Sequence, residues 1–134
     1  MEQSGKPEIF DILTKYKSIA VVGLSDNPMR PSNQVATYLI KAGYKVYPVN
    51  PNHKQILGLT SYPDLKSIPV KIDIVDIFRR PEYVLPIVDD SIEIGAKVVW
   101  MQLGVINQEA LVKAKSHGLK VVMDRCIKIE HRKI

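Results

Sequence analysis

Five short runs rich in Val and Ile recur along the chain, at residues 19–22, 46–49, 72–78, 97–101 and 120–123. They are almost continuously apolar rather than alternating, which is the pattern of strands covered on both faces. Strands of that kind pair in parallel and need crossover connections, usually helical. The intervening segments supply helices. Residues 7–16 place Ile9, Ile12, Leu13 and Tyr16 on one face, with Pro7 suited to a first helical position. Residues 30–42 place Val35, Leu39 and Ala42 together and stop at Gly43. Asn107 is positioned to cap a helix that runs to His117, with Lys113 and Lys115 toward its negative end. Residues 81–95 also read as a helix, which either starts at Pro86 or follows a first turn at Pro81. Residues 50–69 carry little periodicity; Gly58, Pro63 and Pro69 mark loops, with a short helix or turn at 64–67.

Strand and helix alternation of this kind predicts an α/β fold of three layers. The expected sheet has five parallel strands in the order 3-2-1-4-5, counting the runs along the chain, as in a Rossmann-like unit with an additional N-terminal helix. A length of 134 residues suits one domain covering 1–134. With 46% hydrophobic and 25% charged residues, the composition lacks the signature of disorder. No apolar run approaches the ~20 residues of a membrane span. The first sixteen residues carry Glu2, Glu8 and Asp11 and no apolar signal stretch, so the expectation is a soluble, cytoplasmic protein without membrane association.

The single cysteine, Cys126, has no internal disulfide partner, and His53, His117 and His131 lie far apart without ligand spacing. No metal site is expected. The net charge of +5 favours an anionic partner, but the basic residues form no block and no aromatic interleaving. That distribution suits a small polyphosphate ligand better than nucleic acid, whose binding would call for a contiguous basic face. Homo-oligomerisation and protein partners stay open.

Ligands of open parallel sheets bind beyond the carboxyl ends of the strands, where the strand order reverses. The order above puts that reversal at strands 1 and 4. The loops to inspect are 23–31, 50–54, 78–82, 102–105 and 124–128. In the first, Gly23 permits close backbone approach, Ser25 and Ser32 add hydroxyls, and Arg30 adds a fork suited to phosphate. The helix that begins at Pro31 offers amides at Ser32, Asn33 and Gln34 to an anion. This loop is not the dinucleotide fingerprint, since Ser25 and Pro28 stand where glycines would be needed. At the end of the second strand, Asn50 replaces the acid that holds a bare ribose, with His53 and Lys54 close behind. A phosphorylated ribose fits those groups better. NAD is disfavoured, and an NADP-type nucleotide-binding oxidoreductase subunit is the alternative reading.

The first loop also approaches a nucleophile elbow, but Asn27 replaces the second glycine and no Asp–His pair follows convincingly. At the remaining strand ends, Phe78, Arg79 and Pro81 offer apolar edges and a guanidinium; Gln102 and Gly104 offer an amide and an open backbone. Trp100 reads as core. Cys126 reads as a small core residue, with Arg125 keeping a reactive thiolate open.

The segments VVGLSDNPMRPS (21–32), VYPVNP (46–51), DIVDIFRRPE (73–82), VVWMQLG (98–104) and MDRCIKIEH (123–131), taken in order, resemble the small single-domain CoA-binding protein family. That family is related to the CoA-binding domains of succinyl-CoA synthetase alpha subunits and ADP-forming acyl-CoA synthetases. The resemblance implies a Rossmann-like domain that takes coenzyme A or an acyl-CoA. It implies that Gly23, Leu24, Ser25, Arg30 and Ser32 hold the pyrophosphate. Asn50, Pro51 and Lys54 would then lie beside the phosphorylated ribose, Phe78, Arg79 and Pro81 beside the adenine, and Gln102 and Gly104 along the pantetheine arm. It brings a ligand and no reaction, so a stand-alone binding domain without catalytic residues is the expectation.

Overall fold

The structure, a computed structural model, describes residues 5–134. Among the described residues, seven strands and five α-helices follow one another. The long strands are β1 (Ser18–Val22), β2 (Lys45–Val49), β5 (Ile74–Ile77), β6 (Val98–Met101) and β7 (Lys120–Val122); β3 (Gln55–Ile56) and β4 (Leu59–Thr60) form a small antiparallel hairpin. The five long strands make one parallel sheet in the order β2-β1-β5-β6-β7.

The fold class is the one the sequence predicts, but the strand order is not. Numbered by their runs, the strands lie 2-1-3-4-5 instead of 3-2-1-4-5, because β5 pairs with β1 rather than with β2. Pro48 supplies the physical reason. A proline inside a strand has no N–H for a ladder, so it is tolerated only where that side faces an edge. The Pro48 carbonyl points to the outer side of β2 and accepts from the Tyr62 N–H at 3.0 Å, so the missing donor faces the same way. An interior position for β2 would leave a gap in the ladder. The strand order therefore reverses between β1 and β5, and the crevice lies there rather than at strands 1 and 4.

The helices cover both faces. On one side α1 (Lys6–Lys15), α2 (Pro31–Lys41) and α5 (Ile127–Arg132) pack on Ile19, Val21, Val46, Ile74, Trp100 and Val122. On the other, α3 (Val84–Glu93) and α4 (Gln108–Ser116) pack on Ala20, Val75, Ile77, Val99, Met101 and Val121. The alternation of neighbours along each strand assigns them to opposite layers. Of the two openings left for the third helix, the chain takes the second: a 3₁₀ turn at Pro81–Tyr83 precedes α3. Pro86 falls in the first turn of α3, where its N–H would have had no helical acceptor. Asn107 caps α4 as expected, its side chain accepting from the Ala110 N–H at 2.9 Å. Among the described residues, no helix is long and apolar enough to cross a membrane.

One core residue is chemically out of place. Asp76, on β5 between Val21 and Trp100, is fully buried, and neither carboxylate oxygen has a hydrogen-bond partner. Burial pushes its pKa well above the ordinary carboxylate value. A carboxyl that holds its proton more tightly in the folded chain favours folding fully below the unfolded value of about 3.9, and that contribution is lost as pH rises through the folded value. Denaturant titrations from pH 4 upward should therefore show wild type losing stability relative to Asp76→Asn. A difference independent of pH would mean that the carboxyl has found a partner in solution.

Candidate functional site

The site is built where β1 and β5 end side by side. Gly23 leaves β1 with φ of +86°, and a Cβ there would stand 2.3 Å from the Phe78 carbonyl oxygen and 3.0 Å from Arg79 Cδ. No other residue type fits that approach. The loop beyond it is held by its own polar groups. The Ser25 N–H donates to Ser32 Oγ at 3.0 Å, Asn33 Nδ2 donates to the Ser25 carbonyl at 2.8 Å, and the Asn27 N–H donates to Ser25 Oγ at 3.1 Å. From the neighbouring loop, Asn50 Nδ2 donates to the Leu24 carbonyl at 2.9 Å, which ties the end of β2 to the end of β1.

These contacts enclose a polar pocket of about 340 Å³ lined by Gly23, Ser25, Arg30, Pro31, Ser32, Asn50 and Phe78. Six of these seven were singled out from the sequence. The α2 terminus contributes less than expected, because the Asn33 and Gln34 amides both donate to the Arg30 carbonyl. Ser32 is the first-turn amide left to face an anion, Pro31 having none. Arg30, exposed at the N-cap position, brings the positive charge.

A second pocket, of about 140 Å³, opens beside it and is lined by Val22, Val49, Pro51, Pro63, Asp64, Leu65, Arg79, Ile87 and Asp90. Pro51 and Arg79 were expected at the site; Pro63, Asp64, Leu65, Ile87 and Asp90 were not. Pro63, Asp64 and Leu65 arrive because the strand-like bridge from Val49 to Tyr62 folds the aperiodic 50–69 segment back along the edge of β2, where it meets Ile87 and Asp90 of α3. Consecutive residues off one strand end point to opposite sides, so Phe78 lines the first pocket and Arg79 the second. The Arg79 guanidinium lies 4.8 Å from the Tyr83 ring centroid, a cation–π contact that fixes its direction. Adjacent residues Asn50 and Pro51 belong one to each pocket and join them.

The other predicted site residues have different surroundings. The Leu24 side chain is wholly in the core, so only its backbone reaches the site. Lys54 is exposed, its carbonyl accepting from the Ser61 N–H. The Pro81 carbonyl accepts from Asn107 Nδ2 at 2.9 Å. Gln102 is buried, and its Oε1 accepts the Ile127 N–H at 3.0 Å, which ties the start of α5 to the end of β6. Gly104 is exposed with φ of +85°, and its N–H donates to Asp124 Oδ1 at 2.7 Å. Trp100 is core, its Nε1 donating to the Arg125 carbonyl at 2.8 Å. Cys126 is half-buried at the start of α5 and packs on the α1, α2 and α5 side of the core.

The chain belongs to the CoA binding domain family, whose pattern residues 17–132 match. It is 44% identical over 131 residues to the uncharacterized protein YneT of Bacillus subtilis, covering 98% of this chain and 97% of that one. A hypothetical protein from Pyrococcus horikoshii OT3 has the same fold with a TM-score of 0.94 and 43% identity, covering 99% of this chain and 98% of the other. The ADP-forming acetate–CoA ligase II of Archaeoglobus fulgidus is 28% identical over 127 residues, which are 86% of this chain but 19% of the ligase.

The packing at Gly23 yields a direct test. Gly23→Ala combines a positive φ with a backbone collision and should lower stability by about 2–4 kcal/mol, seen as a fall in denaturation midpoint with an unchanged m-value. Wild-type stability in this variant would mean that the ends of β1 and β5 are not so closely apposed.

Proposed function

We propose that this chain binds coenzyme A, or an acyl-CoA, across the carboxyl ends of β1, β2 and β5, without catalytic residues of its own. The observation that carries the reading is the pair of unlike pockets joined at Asn50–Pro51. The polar one, with Arg30, Ser25, Ser32 and the Ser32 amide, suits a pyrophosphate. The second, walled by Pro51, Pro63, Leu65 and Ile87, suits a flat base; Asp64 Oδ1 already accepts from the Ser67 N–H and Asp90 Oδ1 already pairs with Lys66. A nucleotide of that layout puts its ribose at Asn50–Pro51, where a neutral amide replaces the acid of NAD sites. Family membership supports the same ligand. CoA fits the residues present, and its own thiol would supply any acyl chemistry; this chain's part is to hold and orient it.

Thermal denaturation with CoA, NAD and NADPH tests the reading. At 100 times its dissociation constant a ligand adds about 2.7 kcal/mol, so CoA should raise Tm by several degrees. A shift with NADPH and none with CoA would instead favour the oxidoreductase reading. Arg30→Ala should weaken CoA binding by about 1.5–3 kcal/mol, and Arg30→Lys should recover only part, since an ammonium lacks the planar fork. Calorimetric titration of both variants checks this, and an unchanged affinity in Arg30→Ala would remove Arg30 from the site.

A further inference from the structure

The end of the sheet opposite the two pockets gathers charge that the sequence leaves scattered. Lys45 opens β2 and Lys120 opens β7, while Lys17, Lys71 and Lys97 stand one to three residues before β1, β5 and β6. A backbone rung crosses this edge. The Lys45 N–H donates to the Lys17 carbonyl at 2.9 Å and the Asp73 N–H to the Ser18 carbonyl at 3.2 Å. The Lys97 N–H then donates to the Asp73 carbonyl at 2.9 Å, and the Lys120 N–H to the Lys97 carbonyl at 3.0 Å. Neighbouring strands at ~4.8 Å spacing put these lysines in a row about 19 Å long. All five are exposed, and none forms an ion pair with another described residue. Asp73, half-buried, is the acid within the row.

Helix chemistry accounts for other lysines at this end but not for these. Lys15 and Lys41 lie in the last turns of α1 and α2, where a cation meets the negative end of a helix dipole. The strand-start lysines belong to no helix, and like charges on adjacent strands repel. A polyanion laid along the row relieves that repulsion. We propose that the amino-terminal edge of the sheet is a docking surface for the phosphate backbone of double-stranded nucleic acid, bound without regard to base sequence. A lysine ammonium is a compact point charge suited to phosphate, and the row holds no arginine fork to read base edges. Single strands are held by stacking on aromatic rings, and the rings here are taken. Tyr44 is buried with Lys17 Nζ 4.8 Å from its centroid, and Lys15 Nζ lies 5.4 Å from the centroid of Tyr16. A stiff duplex carrying one charge per ~1.7 Å of axis matches a row of fixed length. In the chain these lysines stand 23–28 residues apart, so the contiguous basic face that nucleic acid requires is made only by the parallel sheet. The inference is independent of the ligand at the other end.

Fluorescence anisotropy with a labelled DNA duplex of about 20 base pairs and arbitrary sequence tests it, the Tm of each variant serving as the folding control. Wild type should bind at about 50 mM salt and weaken roughly 100-fold by about 200 mM, as expected for four neutralised phosphates. The triple variant Lys45→Gln, Lys97→Gln, Lys120→Gln should bind at least about tenfold more weakly, whereas Arg at the same three positions should keep affinity within about threefold. Removing equal charge elsewhere, by Lys6→Gln, Lys128→Gln and Arg132→Gln, should cost less than about threefold. Absence of duplex binding by wild type at the lower salt, or an equal loss in the two glutamine variants, would overturn the proposal. Binding to phosphatidylserine-containing vesicles with none to the duplex would also overturn it, and would assign the row to a lipid surface.

Discussion

The contact on which the site depends is the close approach of the Gly23 backbone to the Phe78 carbonyl. Because β1 and β5 run parallel and end at the same level, their exit loops compete for one space, and only a residue without a Cβ resolves the competition. Gly23 turns the chain toward α2 on one face of the sheet, while Phe78 and Arg79 continue off β5. The two pockets are the two sides of that saddle, one polar and one largely apolar. A Cβ at position 23 would push the strand ends apart and merge or close both.

Which residues share the saddle follows from strand order, and strand order follows from the sheet edges. Pro48 confines β2 to the outside, so β5 must lie on the other side of β1. That places the loops after β1, β2 and β5 next to one another and moves the loop after β6 one strand further away. The same ordering commits Gln102 to the start of α5, to which its side-chain oxygen is bonded.

Much of this was legible in the sequence. Near-continuous Val and Ile runs gave the parallel sheet, and caps such as Asn107 marked helix ends, because burial on two faces and unpaired helix amides both leave local signals. Gly23, Ser25, Arg30, Ser32, Asn50 and Phe78 could be picked out because they lie in, or just beyond, the loops that leave the strand ends, and Arg30 and the two serines also offer groups suited to phosphate. The strand order was also written in the chain, in Pro48, but its meaning depends on which side of the strand is paired. The second pocket was not legible. Pro63, Leu65, Ile87 and Asp90 come from an aperiodic segment and from a helix on the other face, and only the return of the chain past β2 at Tyr62 brings them together. Asp76 gave no warning either, since an acid within an apolar run does not announce whether it will find a partner.

The proposed reading puts one extended nucleotide across the saddle, with its pyrophosphate on the α2 side and its base on the α3 side. A crystal structure of the protein grown with CoA tests it most directly. The account predicts density for the pyrophosphate against Ser25, Arg30 and Ser32, the ribose over Asn50–Pro51, and the base between Pro51, Pro63 and Arg79. A CoA molecule bound with its base on the Phe78 side, or away from the ends of β1 and β5 altogether, would contradict it.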